Sequence, residues 1–275
     1  MPTVSLTMIV RDEQLNLPGC LESCADLFDE LVIVDTGSCD GTKAVAAAAR
    51  DRRGRAARVF DFAWCDNFAA ARNESLRHAT GDWVFWMDAD DRLDETNRRK
   101  LAELLASLDD RSVGYEMGQV SQFPDGQVAP PFRQLRLFPR RPELKWWGRI
   151  HEGLIGAADL TYVNTGIHIW HVGYHDPATL EAKSDRNLRL LEMQIAETPR
   201  NALVLFHLAR EYFIKGRAAE AFQTLARLDA LGTDDARSLA DDVRQRVAPS
   251  IDPRPAGQVR VETLHGLTIG GTIIA

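Results

Sequence analysis

Asp88-Ala89-Asp90-Asp91 stands directly behind an apolar run, Asp82-Trp83-Val84-Phe85-Trp86-Met87, that reads as a β-strand. In an extended segment alternate side chains point the same way, so Asp88 and Asp90 are expected on one face, serving one ligand set. Hard divalent cations such as Mg²⁺ or Mn²⁺ take carboxylate oxygens and complete their shell with water and substrate phosphates. A bare D-x-D also starts loops and caps helices, but its place at the tip of a strand that should be buried favours the metal. Asp35 has the same station behind Leu31-Val32-Ile33-Val34, before a Thr-Gly-Ser-Cys-Asp-Gly turn. There, capping the turn and holding a ligand are both open readings. Arg11 and Glu13 follow Val10 at the end of a first apolar run. Arg72 lies among small residues, Phe68-Ala69-Ala70-Ala71-Arg72-Asn73, where a guanidinium can approach a ligand closely, although solvated surface is the common fate of such charges. Further along, His151, Glu152 and His171 share a stretch with Trp146, Trp147 and Trp170. These side chains offer proton transfer, metal ligation or stacking on a ligand; equally, they satisfy hydrogen bonds and fill space at the edge of a core.

The elements that must position these groups alternate. Val4–Val10 reads as a strand, Leu17, Cys20, Leu21, Cys24, Leu27 and Phe28 share one helical face, and Leu31–Val34 is a second strand. Asp40-Gly41-Thr42 opens an alanine-rich helix through Arg50, Arg58–Phe62 makes a third strand, and Phe68 to Thr80 a helix stopped by Gly81. This alternation predicts an α/β fold, a mainly parallel sheet covered by helices, with ligands outside the carboxyl ends of the strands. Val10-Arg11, Asp35 and Asp88–Asp91 should therefore converge on one crevice. After a helix around Leu101–Leu108 come strand-like pieces at Val113–Val120 and Arg133–Phe138, then mixed strand and loop from Lys145 to Tyr174. From Pro177 the chain is helical, and Leu205, Leu208, Ala209, Tyr212, Ala221, Leu225 and Leu228 fit a tetratricopeptide-like helix pair, with Thr233 where the usual Pro would stand. One such pair cannot bury its own face, so it must pack on neighbours or on a partner, which allows a homodimer. The expected divisions are residues 1–176, 177–248, and a Pro-rich linker and tail over 249–275.

Composition narrows the partners. The chain has 275 residues, with 33 Lys+Arg against 40 Asp+Glu, for a net charge of −7. That balance disfavours polymeric nucleic acid or an anionic membrane, which dense basic surfaces hold. No apolar run approaches the roughly 20 residues that cross a bilayer, and the N-terminus lacks a signal-peptide pattern, so no transmembrane segment and a cytoplasmic protein are expected. Cys20, Cys24, Cys39 and Cys65 lack zinc-site spacing and are expected as reduced thiols. Neither G-x-G-x-x-G nor G-x-x-x-x-G-K-[ST] occurs, which disfavours dinucleotide and ATP enzymes.

Taken in order, Met8-Ile9-Val10-Arg11-Asp12-Glu13, Val34-Asp35-Thr36-Gly37-Ser38, Ala71-Arg72-Asn73 and Gly81-Asp82-Trp83-Val84-Phe85-Trp86-Met87-Asp88-Ala89-Asp90-Asp91 resemble the successive motifs of family 2 glycosyltransferases with the GT-A (Rossmann-like) fold. The resemblance extends more loosely through Gly148-Arg149-Ile150-His151-Glu152 and His171-Val172-Gly173-Tyr174 to the tetratricopeptide-like helices. It implies a catalytic domain over 1–176 that binds a nucleotide-sugar donor, with UDP-sugar expected. It further implies that Asp35 bonds the base, with Val10 and Glu13 at the same pocket, Arg72 near the base or diphosphate, and Arg11 joining Arg72 at the diphosphate. Asp88 would approach the ribose or sugar, and Asp90 would hold Mn²⁺ or Mg²⁺. Such enzymes invert, using a carboxylate base; Glu152 is the first candidate and Asp91 the second, with His171 or His151 as a further metal ligand. Peptide and lipopolysaccharide or lipid-linked glycan acceptors both fit. The competing readings are a catalytically silent scaffold and a sugar nucleotidyltransferase, the latter disfavoured because Val10-Arg11-Asp12-Glu13 carries no phosphate-binding glycine.

Overall fold

The computed structural model describes residues 2–121, 128–173 and 177–247. Tyr174 and the expected linker and tail from Pro249 onward lie outside the described residues. The described chain falls into two compact units, one within residues 2–173 and one within 177–247.

In the first unit β1 (Val4–Val10), β2 (Glu30–Asp35), β3 (Arg58–Asp61) and β4 (Trp83–Trp86) alternate with α1 (Leu17–Cys24), α2 (Thr42–Ala48) and α3 (Phe68–His78). They are followed by β5 (Asp91–Arg92), α4 (Glu95–Ala106), β6 (Val113–Ser121), β7 (Phe132–Pro139), β8 (Lys145–Trp147), β9 (Gly153–Ile155) and β10 (Thr161–His171). The first helix is shorter than its apolar stripe suggests, because Ala25–Leu27 tighten into a 3-10 turn that delivers Phe28 to the core. One eight-stranded sheet runs in the order β3-β2-β1-β4-β7-β6-β10-β5, and β8 pairs with β9 beside it. The pairs β1–β2, β1–β4, β2–β3 and β6–β10 are parallel. β7 runs antiparallel to both β4 and β6, and β5 antiparallel to β10, so the sheet is mixed beyond its parallel half.

Alternation along β4 feeds two cores. Trp83 and Phe85, with Met87 just beyond the strand, join Leu6, Met8, Leu17, Cys20, Leu101 and Leu105 on one side. Val84 and Trp86 join Ala69, Leu135, Phe138 and Leu154 on the other. Each fully buried Leu or Phe contributes about 1.5–3 kcal/mol through apolar surface removed from water. Phe85, wholly buried and stacked on Phe28 at 5.2 Å, is such an anchor; Phe85→Ala should cost about 3–5 kcal/mol.

Register then sets the functional edge. Val10 lies opposite Asp35, and Thr7 opposite Trp86, so the carboxyl ends of β2, β1 and β4 share one side of the sheet. β10 ends there too, because its antiparallel pairing with β5 sets His171 against Asp91.

The second unit consists of α5 (Pro177–Glu197), α6 (Ala202–Ile214), α7 (Ala218–Asp229) and α8 (Asp234–Val247). The apolar α6 contacts the other three, burying Leu205, Leu208 and Ala209, and α7 turns Ala221, Leu225 and Leu228 inward. The helix pair sits where the apolar spacing puts it. α8 extends it through Ala236, Ala240 and Val243, a stripe thin enough to be lost in a charged sequence. Among the described residues no helix is long and apolar enough to cross a membrane.

Candidate active site

The loops after β1 and β2 are cross-linked. Asp12, held at φ 53°, accepts the Cys39 amide on Oδ1 at 2.7 Å and donates its own amide to Ser38 Oγ at 2.9 Å. Glu13 N donates to Thr42 Oγ1 at 2.7 Å, and the Glu13 carboxylate accepts Asn16 Nδ2 at 2.9 Å. Val10 is buried, and its carbonyl accepts the Thr36 amide at 2.9 Å. Arg11 is half exposed and reaches Asp12 at 3.6 Å. Asp35 is 1% exposed; Oδ1 accepts the amides of Gly37 at 3.0 Å and Ser38 at 2.9 Å. One oxygen of Asp35 therefore caps the turn, while Oδ2 is buried with no hydrogen-bond partner among the described residues. A buried acceptor left in that state costs about 1–3 kcal/mol until a donor arrives.

The acidic segment differs from its expected geometry. β4 ends at Trp86, and Asp91 N donates to Asp88 O at 3.1 Å, so Asp88–Asp91 is a tight turn in place of the extended run that would align Asp88 with Asp90. The turn is closed by Asp88 N donating to Asp91 Oδ2 at 3.0 Å. It sends the acids in different directions. Asp88 Oδ1 takes Arg72 Nη2 at 2.9 Å, whereas Asp90 lies 3.4 Å from His171 Nδ1. Asp91 is wholly buried, with Oδ2 on Arg136 Nη1 at 2.8 Å and Oδ1 on His171 Nδ1 at 3.0 Å. Burial alone would raise the Asp91 carboxyl, but Arg136 and His171 hold it far below the usual carboxylate range. Burial likewise opposes charge on His171, and the hydrogen bond to Asp91 with the charges of Asp90, Asp91 and Asp88 outweighs it, raising its pKa.

Asp90, Asp91 and His171 bring ligand atoms within 4.8 Å of one another, the one such group among the described residues. A Cβ placed on Gly173 would lie 1.9 Å from Asp90 Oδ2 and 3.2 Å from His171 Nε2, so those two atoms border the space that a glycine leaves. This donor set suits a divalent cation, with oxygen and imidazole ligands converging on one small cradle.

Arg72 is the centre of the other half. It is 8% exposed, and Nε bonds Glu152 Oε1 at 2.7 Å while Nη2 bonds Asp88. Its guanidinium carbon lies 4.2 Å from the Trp86 ring centroid and 5.3 Å from that of Trp146. Burial would lower its pKa, but Asp88 and Glu152 raise it, so it stays charged. Neighbouring Asn73 donates Nδ2 to Trp146 O and accepts Trp146 N on Oδ1, both at 2.8 Å, pinning β8 to α3. The N-terminus of α3 receives the same segment: Phe68 N donates to Arg149 O at 2.9 Å.

The structure thus joins Arg72, Asp88 and Glu152 in one group, and Asp90, Asp91 and His171 in an adjoining one. Arg72, expected near the base or diphosphate, bonds the Glu152 and Asp88 carboxylates. His151, exposed and at φ 52°, is outside the metal-type group. Trp146 is buried against Trp86, and Trp170 Nε1 donates to Asp94 at 2.8 Å, whereas Trp147 is 37% exposed. Sequence reasoning missed Arg136 and gave no role to Asn73 or Gly173, although both stand in the quoted motifs. A charge inside the apolar run Leu135-Arg136-Leu137-Phe138 was the available signal for the first.

Known proteins place this arrangement. A TPR repeat-containing protein of Synechococcus elongatus is 35% identical over 212 residues, covering 74% of this chain and 50% of its own length. The SPbeta prophage-derived glycosyltransferase SunS of Bacillus subtilis is 25% identical over 237 residues, covering 82% of this chain and 53% of its own. The chain spans about half the length of these curated relatives. The crystal structure of S. aureus TarS 1–349 in complex with UDP-GlcNAc superposes with a TM-score of 0.52 at 15% identity, over 90% of this chain and 91% of that one, a shared GT-A fold. The model of Glycosyl transferase family 2 matches residues 5–156, every motif from β1 to the acidic turn and on past Glu152, and the chain belongs to that family.

Proposed function

We propose that the chain is an inverting, metal-assisted glycosyltransferase that moves a sugar from a uridine diphosphate sugar to a peptide or lipid-linked glycan. In this reading residues 1–176 form the catalytic domain and 177–248 a tetratricopeptide-like extension. The observation that carries it is the meeting of Asp90 and His171 with the Arg72–Asp88–Glu152 group at the carboxyl edge of the sheet, in a family 2 chain.

Asp35 Oδ2, buried and unpartnered, accepts an N–H of the base, and the cross-linked loops around Asp12 and Glu13 hold that pocket in shape before the donor arrives. Asp90 and His171 hold the cation, Mn²⁺ or Mg²⁺, which when bound neutralises charge developing on the departing diphosphate. Glu152 is the base. Its Oε1 is fixed by Arg72, and among the described residues Oε2 has no hydrogen bond, leaving an oriented oxygen to take the acceptor proton as the acceptor attacks the anomeric carbon. Asp91 is unsuited to that role because it is wholly buried and both its oxygens are engaged. Arg72 acts by orienting Asp88 and Glu152 together; two carboxylates so close would otherwise repel.

The solved protein of like fold is complexed with UDP-GlcNAc, which makes this the first donor to try. Donor hydrolysis across uridine and guanosine diphosphate sugars, with and without Mn²⁺ or Mg²⁺, tests the proposal. Metal-dependent release of UDP that disappears in Asp90→Ala, with Tm shifted by only a few degrees, supports it. A folded chain that binds no nucleotide sugar with either metal refutes it in favour of a silent scaffold. Turnover retained in Asp90→Ala sinks the metal assignment, and transfer retained in Glu152→Gln sinks the base.

A further inference from the structure

Arg136 is a wholly buried charge on β7, which lies between β4 and β6 inside the sheet. Opposite β6 the register passes over it: Tyr115 pairs with Leu137 and Glu116 with Leu135. Arg136 is thus the extra residue of a β-bulge, a device that re-aims one side chain and recurs beside active sites. Its aim is specific. Nη1 lies 2.8 Å from Asp91 Oδ2 and 3.3 Å from the Trp86 carbonyl oxygen, and the guanidinium carbon stands 3.8 Å from the Trp86 ring centroid. The other oxygen of Asp91 meets His171 Nδ1 at 3.0 Å. A neutral ring that donates its Nδ1 proton to Asp91 carries its lone pair on Nε2, the nitrogen that borders Gly173 and Asp90 Oδ2. Replacing a buried ion pair by apolar residues of similar volume is often neutral or stabilising, so the fold alone is a weak reason for such a pair.

We propose that Arg136 is a positioning residue for the metal-binding histidine: it locks the Asp91 carboxylate, and Asp91 in turn fixes the tautomer and ring orientation of His171. The inference rests on the metal-assisted reading above. It also assigns Asp91 to orienting a ligand instead of ligating, because Arg136 and His171 already occupy its two oxygens.

The test is Mn²⁺ affinity, measured by titration calorimetry on the whole chain, for the wild type, Arg136→Met, Arg136→Lys, and Glu30→Gln as a destabilised control at the far end of β2. Removing a partner behind a metal ligand weakens binding about 10–100-fold, and that is the loss expected for Arg136→Met, with Arg136→Lys recovering much of it and Glu30→Gln unchanged. Should Arg136→Met fail to fold, the double variant Arg136→Met/Asp91→Asn, which buries no unpaired charge, replaces it with the same weakening expected. Wild-type Mn²⁺ affinity in whichever of the two folds overturns the proposal, as does equal weakening in Glu30→Gln. Absence of Mn²⁺ binding by the wild type, or unchanged affinity in Asp90→Ala, overturns the underlying metal reading, and the proposal with it.

Discussion

Gly173 offers a sharp test of the proposed metal cradle, because a single methyl group would be built into it. The Cβ of Gly173→Ala would stand 1.9 Å from Asp90 Oδ2 and 2.9 Å from its Cγ, where ordinary contact begins near 3.4 Å. The oxygen must therefore retreat by roughly 1.5 Å, several times the ~0.2 Å tolerance of a metal–ligand distance. The backbone has little freedom to yield instead, since the amide of Val172 is bonded to the Asp90 carbonyl at 2.9 Å. Gly173 does not have a positive φ, so alanine brings no strain of its own and the effect belongs to the new methyl. A misplacement of about 1 Å at a reacting centre costs on the order of 10²-fold in rate, and overpacking adds about 1–3 kcal/mol of destabilisation. The expected outcome is at least a hundredfold loss of Mn²⁺-dependent UDP-sugar hydrolysis, with a Tm drop of a few degrees and weaker Mn²⁺ in calorimetry. Wild-type turnover and affinity in a folded Gly173→Ala would show that Asp90 Oδ2 and His171 Nε2 are not the ligands.

Arg72→Met removes the cation that bridges Asp88 and Glu152; breaking these nearly buried pairs should cost about 3–5 kcal/mol, read as a lowered denaturation midpoint. Arg72→Lys keeps the charge but cannot fork between two carboxylates, so it should recover stability more than kcat, and equal recovery of both would deny Arg72 an orienting role. At the opposite end of the sheet, burial alone would raise the Glu30 carboxyl, but bonds from Ser5 Oγ, the Thr80 amide and Arg58 hold it below its ordinary 4.5. Its folded state binds the proton less readily than the unfolded one, so its contribution is complete above about pH 4.5 and lost as pH falls. Glu30→Gln should flatten the acid limb of Tm against pH; an unchanged limb counts against the clamp. Cys20 and Cys24 are buried, and the Cys20 thiol is pushed well up by its hydrogen bond with Cys24 and by burial, whereas Cys39 and Cys65 are exposed. A thiol reagent should label Cys39 and Cys65 in the native chain and reach Cys20 and Cys24 only in denaturant, as mapped by mass spectrometry.

What sequence made visible here was local. Val4–Val10, Glu30–Val34 and Trp83–Met87 announce themselves because strands buried on both faces are apolar at nearly every position, and the acids at their tips stand out against that background. The group around Arg72 was not visible as a group, because Arg72 and Glu152 are 80 residues apart and meet only when β8, pinned by Asn73, returns across α3. The same holds for His171, which reaches Asp91 through the pairing of an eleven-residue strand, β10, with the two-residue β5. Period-two alternation even misdirected the acids: it assumed Asp88 to Asp90 continued the strand, whereas the Asp91-to-Asp88 bond turns them. Pattern reports which faces are buried; it does not report which distant strand will lie alongside.

The charge balance of the site carries the last step. Asp88, Asp90, Asp91 and Glu152 are gathered here with two cations, Arg72 and Arg136, and both guanidiniums stack on the same ring, Trp86. Among the described residues four carboxylates meet two guanidiniums here, and their surplus acidity raises the His171 pKa; a divalent cation held by Asp90 and His171 would offset it. Binding to the folded state alone should therefore stabilise the chain by mass action, about 2.7 kcal/mol at a hundredfold excess of Mn²⁺ over its Kd. Asp90→Ala, with one charge fewer and one ligand fewer, should lose that increment while keeping its metal-free Tm within a few degrees. If Mn²⁺ raises the Tm of Asp90→Ala as much as that of the wild type, the cation is bound elsewhere, and the surplus acidity of this edge serves some other end.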